Sequence, residues 1–323
     1  DGVQGLIGGP PTYQQIGGLD PGPGEYQWFG GGGGGSQSPN FPEIGGTAGH
    51  GGKGGGGTGR QESQDSTRGQ VNTGGGGGGG IQTQPQPARR GGSGIVVIRY
   101  QIAQSEISTA KATGGSIYFY GSKTIHVFTA SGELQHTTVS NVDCEVYAIG
   151  GGGGGGYSNG GGGGSGGVLY EPSKTLGPGA PNKITITIGA GGGGAEQIGF
   201  GGLAGANTVL SAPFSMTAGY GGGGRSEPNP SPNHATAPVG SGGGGSRFAA
   251  EGTSGPQGND GAPGGNDSGG GGGGIGGAGG NTSSPDTGGH GGTGLQAPPT
   301  FRQPGATWGQ PGPGGSAHWF GGG

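Results

Sequence analysis

Segments that alternate like β-strands run straight into tracts of glycine, and this join limits the folds open to the chain more than any other feature. Residues 144–149 continue into glycines 150–156, residues 184–188 lead to glycines 191–194, and residues 214–220 lead to 221–224. A flexible linker sits between domains. These tracts instead leave and re-enter one apolar stretch, with turn residues such as Tyr157-Ser158-Asn159 between 150–156 and 160–164. Glycine supplies 103 and proline 24 of the 323 residues, against usual shares of roughly 7% and 5%. Only 9% of residues are charged and the net charge is -4, so charge repulsion does not hold the chain open. Its exposed backbone groups either pair with one another or remain a floppy linker.

Of the 44 Leu, Ile, Val and Phe residues, 28 fall between positions 95 and 215. One segment can therefore build a conventional core and the flanks cannot. Within it the apolar residues alternate with period two, the mark of half-buried strands. In 183–188, Ile184, Ile186 and Ile188 face one way while Thr185 and Thr187 face the other. Further strands are expected at 117–120 and 124–129, joined by Gly121-Ser122-Lys123 as a hairpin, and at 134–139, 144–149, 168–171, 208–211 and 214–218. Residues 95–100 are apolar on both faces, as a central strand requires. No segment has a helical period with caps. The expected fold is all-β plus polyglycine II: a small antiparallel β-sandwich that emits a packed bundle of polyglycine II helices, with no α-helix.

Extended glycine adopts the polyproline II conformation readily, with three residues per turn and no internal hydrogen bonds. Every N–H and C=O then points sideways, and the missing Cβ lets neighbouring chains come close enough to satisfy them. Ordering a residue costs roughly 1–2 kcal/mol, glycine most of all, while a hydrogen bond returns about 0.5–1.5 kcal/mol net. An isolated run should not order, but a laterally packed bundle seeded by a rigid sandwich can. Tracts 30–35, 74–80, 150–156, 160–164 and 269–274 are expected inside the bundle, and polar clusters such as 227–233 at its turns. A collagen triple helix is the rival reading. From Gly252 to Gly264 glycine recurs at every third position, but the longer tracts elsewhere break that period.

The two ends of the chain repeat each other. Gly5-Leu6 matches Gly294-Leu295, Pro10-Pro11-Thr12-Tyr13 matches Pro298-Pro299-Thr300-Phe301, Pro21 to Gly24 matches Pro311 to Gly314, and Trp28-Phe29 matches Trp319-Phe320. The chain thus reads as about one period of a tandem array, cut in mid-repeat. A single protein with two related end caps is the other reading. On the first, residues 1–94 are the glycine-rich part of one repeat and 95–218 the sandwich with inserted glycine runs. Residues 219–323 are then the glycine-rich part of the next repeat.

Candidate chemistry is sparse. Gly163-Gly164-Ser165-Gly166-Gly167 matches a nucleophile elbow in letters only, because glycine surrounds it and no helix follows. The six histidines, at 50, 126, 136, 234, 290 and 318, lack metal-ligand spacing. His50 and His290 share the contexts TAGHGG and TGGHGG, which mark repeated turns, and His126 reads as a surface or satisfied strand residue. Cys144 is the single cysteine, so no intrachain disulfide forms. No catalytic residue, cofactor or metal is expected, and the protein is not expected to be an enzyme. Scattered Lys and Arg leave no footprint for nucleic acid, and no apolar run of about 18 residues suggests a membrane span. Trp28, Phe29, Trp319 and Phe320 are the structural or assembly candidates: they can cap the bundle, pack between units or face a ligand such as a glycan. Asn266 and Asn281 begin N-glycosylation patterns.

The segments Ala112-Thr113-Gly114-Gly115-Ser116-Ile117, Thr124 to Gly132, Val146 to Gly150, and Gly91 to Tyr100 together resemble the glycine-rich-domain proteins of aquatic phages and bacteria. In that family the first three look like the beginning of a unit and GGSGIVVIRY its end, which implies a unit boundary near 101–112. The bundle also resembles the receptor-binding tip adhesins of some T-even-like phages, which carry variable loops at the bundle end. The resemblance implies a surface or virion location. Two functions follow as expectations. The first is an extracellular structural protein that self-associates head-to-tail or laterally into a fibre. The second is a tail-fibre or surface adhesin that binds a cell-surface glycan or protein receptor through loops such as 227–234 and 281–287. A third, an ice-binding protein, needs a flat Thr/Ala face, and the sequence has no such register.

Overall fold

A computed structural model of the protein describes residues 29–37, 46–61, 64–81, 88–101, 110–120, 123–178, 183–227, 240–247, 254–283, 287–295 and 298. Ten strands form in chain order: β1 Ile95–Gln101, β2 Ala112–Thr113, β3 Ser116–Tyr120, β4 Lys123–Phe128, β5 Gly132–His136, β6 Val142–Ile149, β7 Val168–Leu176, β8 Lys183–Thr187, β9 Thr208–Leu210 and β10 Met216–Ala218. They pair antiparallel in two five-stranded sheets, β3-β4-β1-β6-β7 and β10-β9-β8-β5-β2. Among the described residues there is no α-helix.

The alternation read from the sequence sets the layers. Val96, Ile98 and Tyr100 of β1 and Cys144, Val146 and Ala148 of β6 face Leu134, Ile184, Ile186, Leu210 and Met216 of the other sheet, making the inter-sheet core. In β8 the threonines and Lys183 are exposed while Ile184 and Ile186 are fully buried. Central β1 is apolar on both faces because its other side also packs: Ile95 and Val97 join Ile125, Val127, Tyr147, Ile149 and Phe29 in a second cluster.

Strand ends differ from the sequence expectation where local chemistry was overruled. β7 runs on past Glu171 through Pro172 to Leu176. It is an edge strand, and its register against β6 shifts between Cys144 and Val146, so the missing proline N–H falls where no ladder bond is needed. The strand expected at 134–139 stops at His136, and Val139 is 93% exposed. Phe214 lies in the turn before β10 and is buried from there. The two-residue β2 was not expected; it pairs Ala112 and Thr113 with His136 and Gln135.

Two buried titratable groups have readable consequences. His126 is fully buried. Its Nδ1–H donates to the Gly114 carbonyl at 2.7 Å, and its Nε2 accepts from the Tyr100 hydroxyl at 2.8 Å. The Tyr100 oxygen in turn accepts from the Ala112 N–H at 3.0 Å. Burial holds the imidazole below its ordinary value, against a smaller upward pull from the Gly114 carbonyl. A depressed folded value means the unfolded chain takes up the proton first. The stability tied to neutral His126 is therefore complete above about pH 6.5 and declines as pH falls below it. Melting temperature should drop between about pH 7 and about pH 5, and the drop should be smaller in His126→Gln.

Cys144 is the opposite case. Burial pushes its thiol up to about 12, with Asp143 and Glu145 adding to the rise. Stability linked to the neutral thiol is present below the unfolded value of about 9 and lost as pH rises from there toward 12. Iodoacetamide at neutral pH should leave the native protein unmodified and label it once denaturant is added. Labelling of the native protein at the denatured rate would contradict this burial.

Candidate functional site

The glycine runs are arranged by the sandwich. Runs leave β6, β8 and β10 at residues 150, 189 and 219, and runs enter β1, β7 and β9 from 94, 167 and 207. Chains thus cross from sheet to bundle at fixed positions. Each such run is thereby held at one end by a strand.

Run 150–156 displays the packing rule. The N–H groups of Gly150, Gly153 and Gly156 donate to Gly167, Gly164 and Gly161 at 2.8–3.0 Å. Those of Gly151 and Gly154 donate to Ala206 and Leu203, and those of Gly152 and Gly155 to Gly92 and Arg89, all at 2.9 Å. Partner numbers fall as the run rises, so these three neighbours are antiparallel. The carbonyls accept from three parallel runs: Gly152 and Gly155 from Gly192 and Ala195, Gly151 and Gly154 from Gly221 and Gly224, Gly153 and Gly156 from Gly77 and Gly80. Six chains surround this one, and each neighbour is met at every third residue. A β-ladder would return every second residue to two neighbours. The period of three is that expected of packed polyglycine II.

Run 160–167 is surrounded likewise, by 33–36, 74–80, 150–156, 219–225, 241–244 and 270–273. Every residue from 150 to 167 is buried, and so are 30–35, 74–80 and 269–274. The lattice draws on both parts that the sequence assigns to different repeats: Gly33 donates to Gly163, and Gly269 donates to Ser36.

The closeness of these chains is why side chains are missing. A Cβ on Gly162 would clash with the Gly33 carbonyl oxygen, one on Gly155 with that of Gly78, and one on Gly154 with that of Gly193. Serine also enters the interior, in places with its hydroxyl paired. Ser165, the centre of the elbow-like sequence, is fully buried with its hydroxyl 2.9 Å from that of Ser241, so it is part of the lattice.

Phe29 lies where bundle and sandwich meet. It is 2% exposed, packs edge-on to Tyr147 with ring centroids 6.3 Å apart, and forms an antiparallel bridge with Leu295. Trp28, Trp319 and Phe320 lie outside the described residues. Asn266 sits in the turn 266–268 and Asn281 in an outer run, both exposed. Of the loops singled out from the sequence, Glu227 is described and 228–234 are not, and 281–283 are described while 284–286 are not.

Turns 53–55, 71–74 and 275–277 lie at the sandwich end of the bundle, and turns 157–159, 196–200 and 266–268 at the far end. At the far end Arg247 Nε is 3.0 Å from Asp267 Oδ1 and 3.6 Å from Glu227 Oε1, and Asn159 Nδ2 donates to Glu227 Oε2 at 3.2 Å. Burial raises the Glu227 carboxyl above its ordinary range, partly offset by Arg247. The two histidines with matching contexts come together. Run 47–52 lies parallel to 287–292, with Gly288 donating to Thr47 and Gly291 to His50. Their rings stack at 5.6 Å and 5°, and the His50 N–H donates to His290 Nδ1. The repeated context was visible in the sequence, but nothing in it said the two copies would be neighbours.

The model of the glycine-rich domain family matches residues 2–101 and 129–323, so the chain belongs to that family. Comparisons with curated proteins and with solved structures give no match. Among the described residues no helix is long and apolar enough to cross a membrane.

Proposed function

We propose that this is a non-enzymatic extracellular structural protein whose sandwich-and-bundle units assemble head-to-tail or laterally into a fibre. The observation that carries the reading is the six-chain packing of runs 150–156 and 160–167, which makes the bundle a solid rod of main chain. A rod held by backbone bonds in several directions resists shear, and its interior is composed almost wholly of glycine. Electron cryo-microscopy of the purified protein tests it. Continuous filaments with one such unit per axial repeat are the expected image, and discrete monomers or trimers would contradict it.

The second reading is a tail-fibre or surface adhesin that contacts a host glycan or protein. It is favoured by the turns collected at the far end, where Ile198 and Phe200 are 50% and 42% exposed. Specific retention on host cells by discrete particles, lost on changing 196–200, would move the assignment to this reading.

A further inference from the structure

Among the described residues, run 189–195 forms an open glycine edge of the bundle. Gly192 and Ala195 donate into run 150–156, the carbonyls of Gly192 and Ala195 accept from Gly91 and Ala88, and the carbonyls of Ala190 and Gly193 accept from Ala206 and Leu203. The N–H and C=O groups of Gly191 and Gly194 have no partner among the described residues. They are three residues apart, the same spacing that binds each inner run to its neighbours. Two other outer runs are screened by side chains: Thr67 and Arg68 stand exposed on one, Pro256, Asp260 and Pro263 on another. Beside Gly193 and Gly194 lies a groove of about 300 Å³, rimmed by Phe200 and Leu203 on its apolar side and by Arg90 and Glu196 on its polar side.

We infer that this edge docks a glycine-rich run of a second copy of this chain, extending the lattice from one molecule to the next. The inference rests on the structural reading proposed above and names the surface it would use. Donors and acceptors repeating every three residues suit a chain of threefold period without Cβ atoms. An ordinary strand presents a period of two, and a sugar presents none. With 103 glycines and a net charge of only -4, a second copy brings suitable runs and little repulsion. The inner runs 150–156 and 160–167 are each bonded to any one neighbour in a single direction: 150–156 donates every bond it shares with 160–167. Copies meeting by this rule present different surfaces to each other. The contact is heterologous and propagates into a filament instead of closing as a twofold dimer.

Gly193 allows a clean test. A Cβ there meets only the Leu203 side chain, Cδ1 at 3.4 Å and Cγ at 3.9 Å, whereas its neighbours Gly192 and Gly194 face backbone carbonyls. Gly193→Arg therefore covers the open edge without entering the lattice, and Leu203→Glu at the half-exposed rim is the second variant. Sedimentation velocity of the full chain should show species that grow with concentration. Either variant should lose that growth while keeping the parent melting temperature and circular dichroism. If the parent stays monomeric at every concentration, both this edge and the fibre reading fall. If folded variants assemble as the parent does, the fibre reading stands and this edge is wrong.

Discussion

Alanine at Gly162 is expected to prevent the protein from reaching its native state, although the change adds one methyl group. The new Cβ would overlap the Gly33 carbonyl oxygen and carbon. That oxygen cannot step aside, because it accepts from Gly272, and Gly33 itself donates to Gly163. Overpacking in ordinary cores costs about 1–3 kcal/mol because side chains shift rotamer to make room. Here the neighbours are backbone bonded to further chains, so the cost should reach or exceed the top of that range. Gly155→Ala, aimed at the Gly78 carbonyl, should behave the same way. Gly132→Ala is the control: its Cβ comes no closer than 3.6 Å to the Phe128 ring and should leave the melting curve near the parent's. Equal melting of all three proteins would mean the tracts are not packed.

Phe29→Ala should produce the next largest loss, about 3–5 kcal/mol. The ring is 2% exposed and closes the corner between Ile95, Ile125, Val127, Tyr147, Ile149 and the first residues of run 30–37. Its removal leaves a cavity at the point where the sandwich fixes the bundle. The expected signature is a lower denaturation midpoint together with earlier amide exchange in 30–37 than in β8, since the bundle loses its anchor before the sheet loses its core. A uniform small change would place Phe29 outside the coupling between the two parts.

Much of this architecture is legible in the residues themselves. The Ile-Thr alternation of 183–188 yields the strand and its buried face, and Ile95 to Ile98, apolar on both faces, yield a central strand, with Arg99 beyond them paired to Glu145. The direct join of strands to glycine identifies the tracts as members of a lattice. The order of runs within the lattice is hidden, since glycine has no side chain with which to specify a neighbour. Only exceptions such as the Ser165–Ser241 hydroxyl pair mark who lies beside whom. Pro172 concealed the second half of β7 because a proline normally ends a strand, and only the edge position with its register shift admits it. Of the aromatic candidates, Phe29 acquires a place. Its position follows from the outward-facing Ile95, Tyr147 and Ile149, whose apolar character already asked for a partner on that face.

Native-state hydrogen exchange of the glycine amides bears most directly on the claim that the tracts form an ordered, hydrogen-bonded bundle. Amides from 150 to 167 should exchange about as slowly as those of β1 and β6, because each lies buried and most donate to a neighbouring run. Exchange of these glycines at the rate of an unstructured chain, while the strands stay protected, would show the tracts to be linkers and contradict the account.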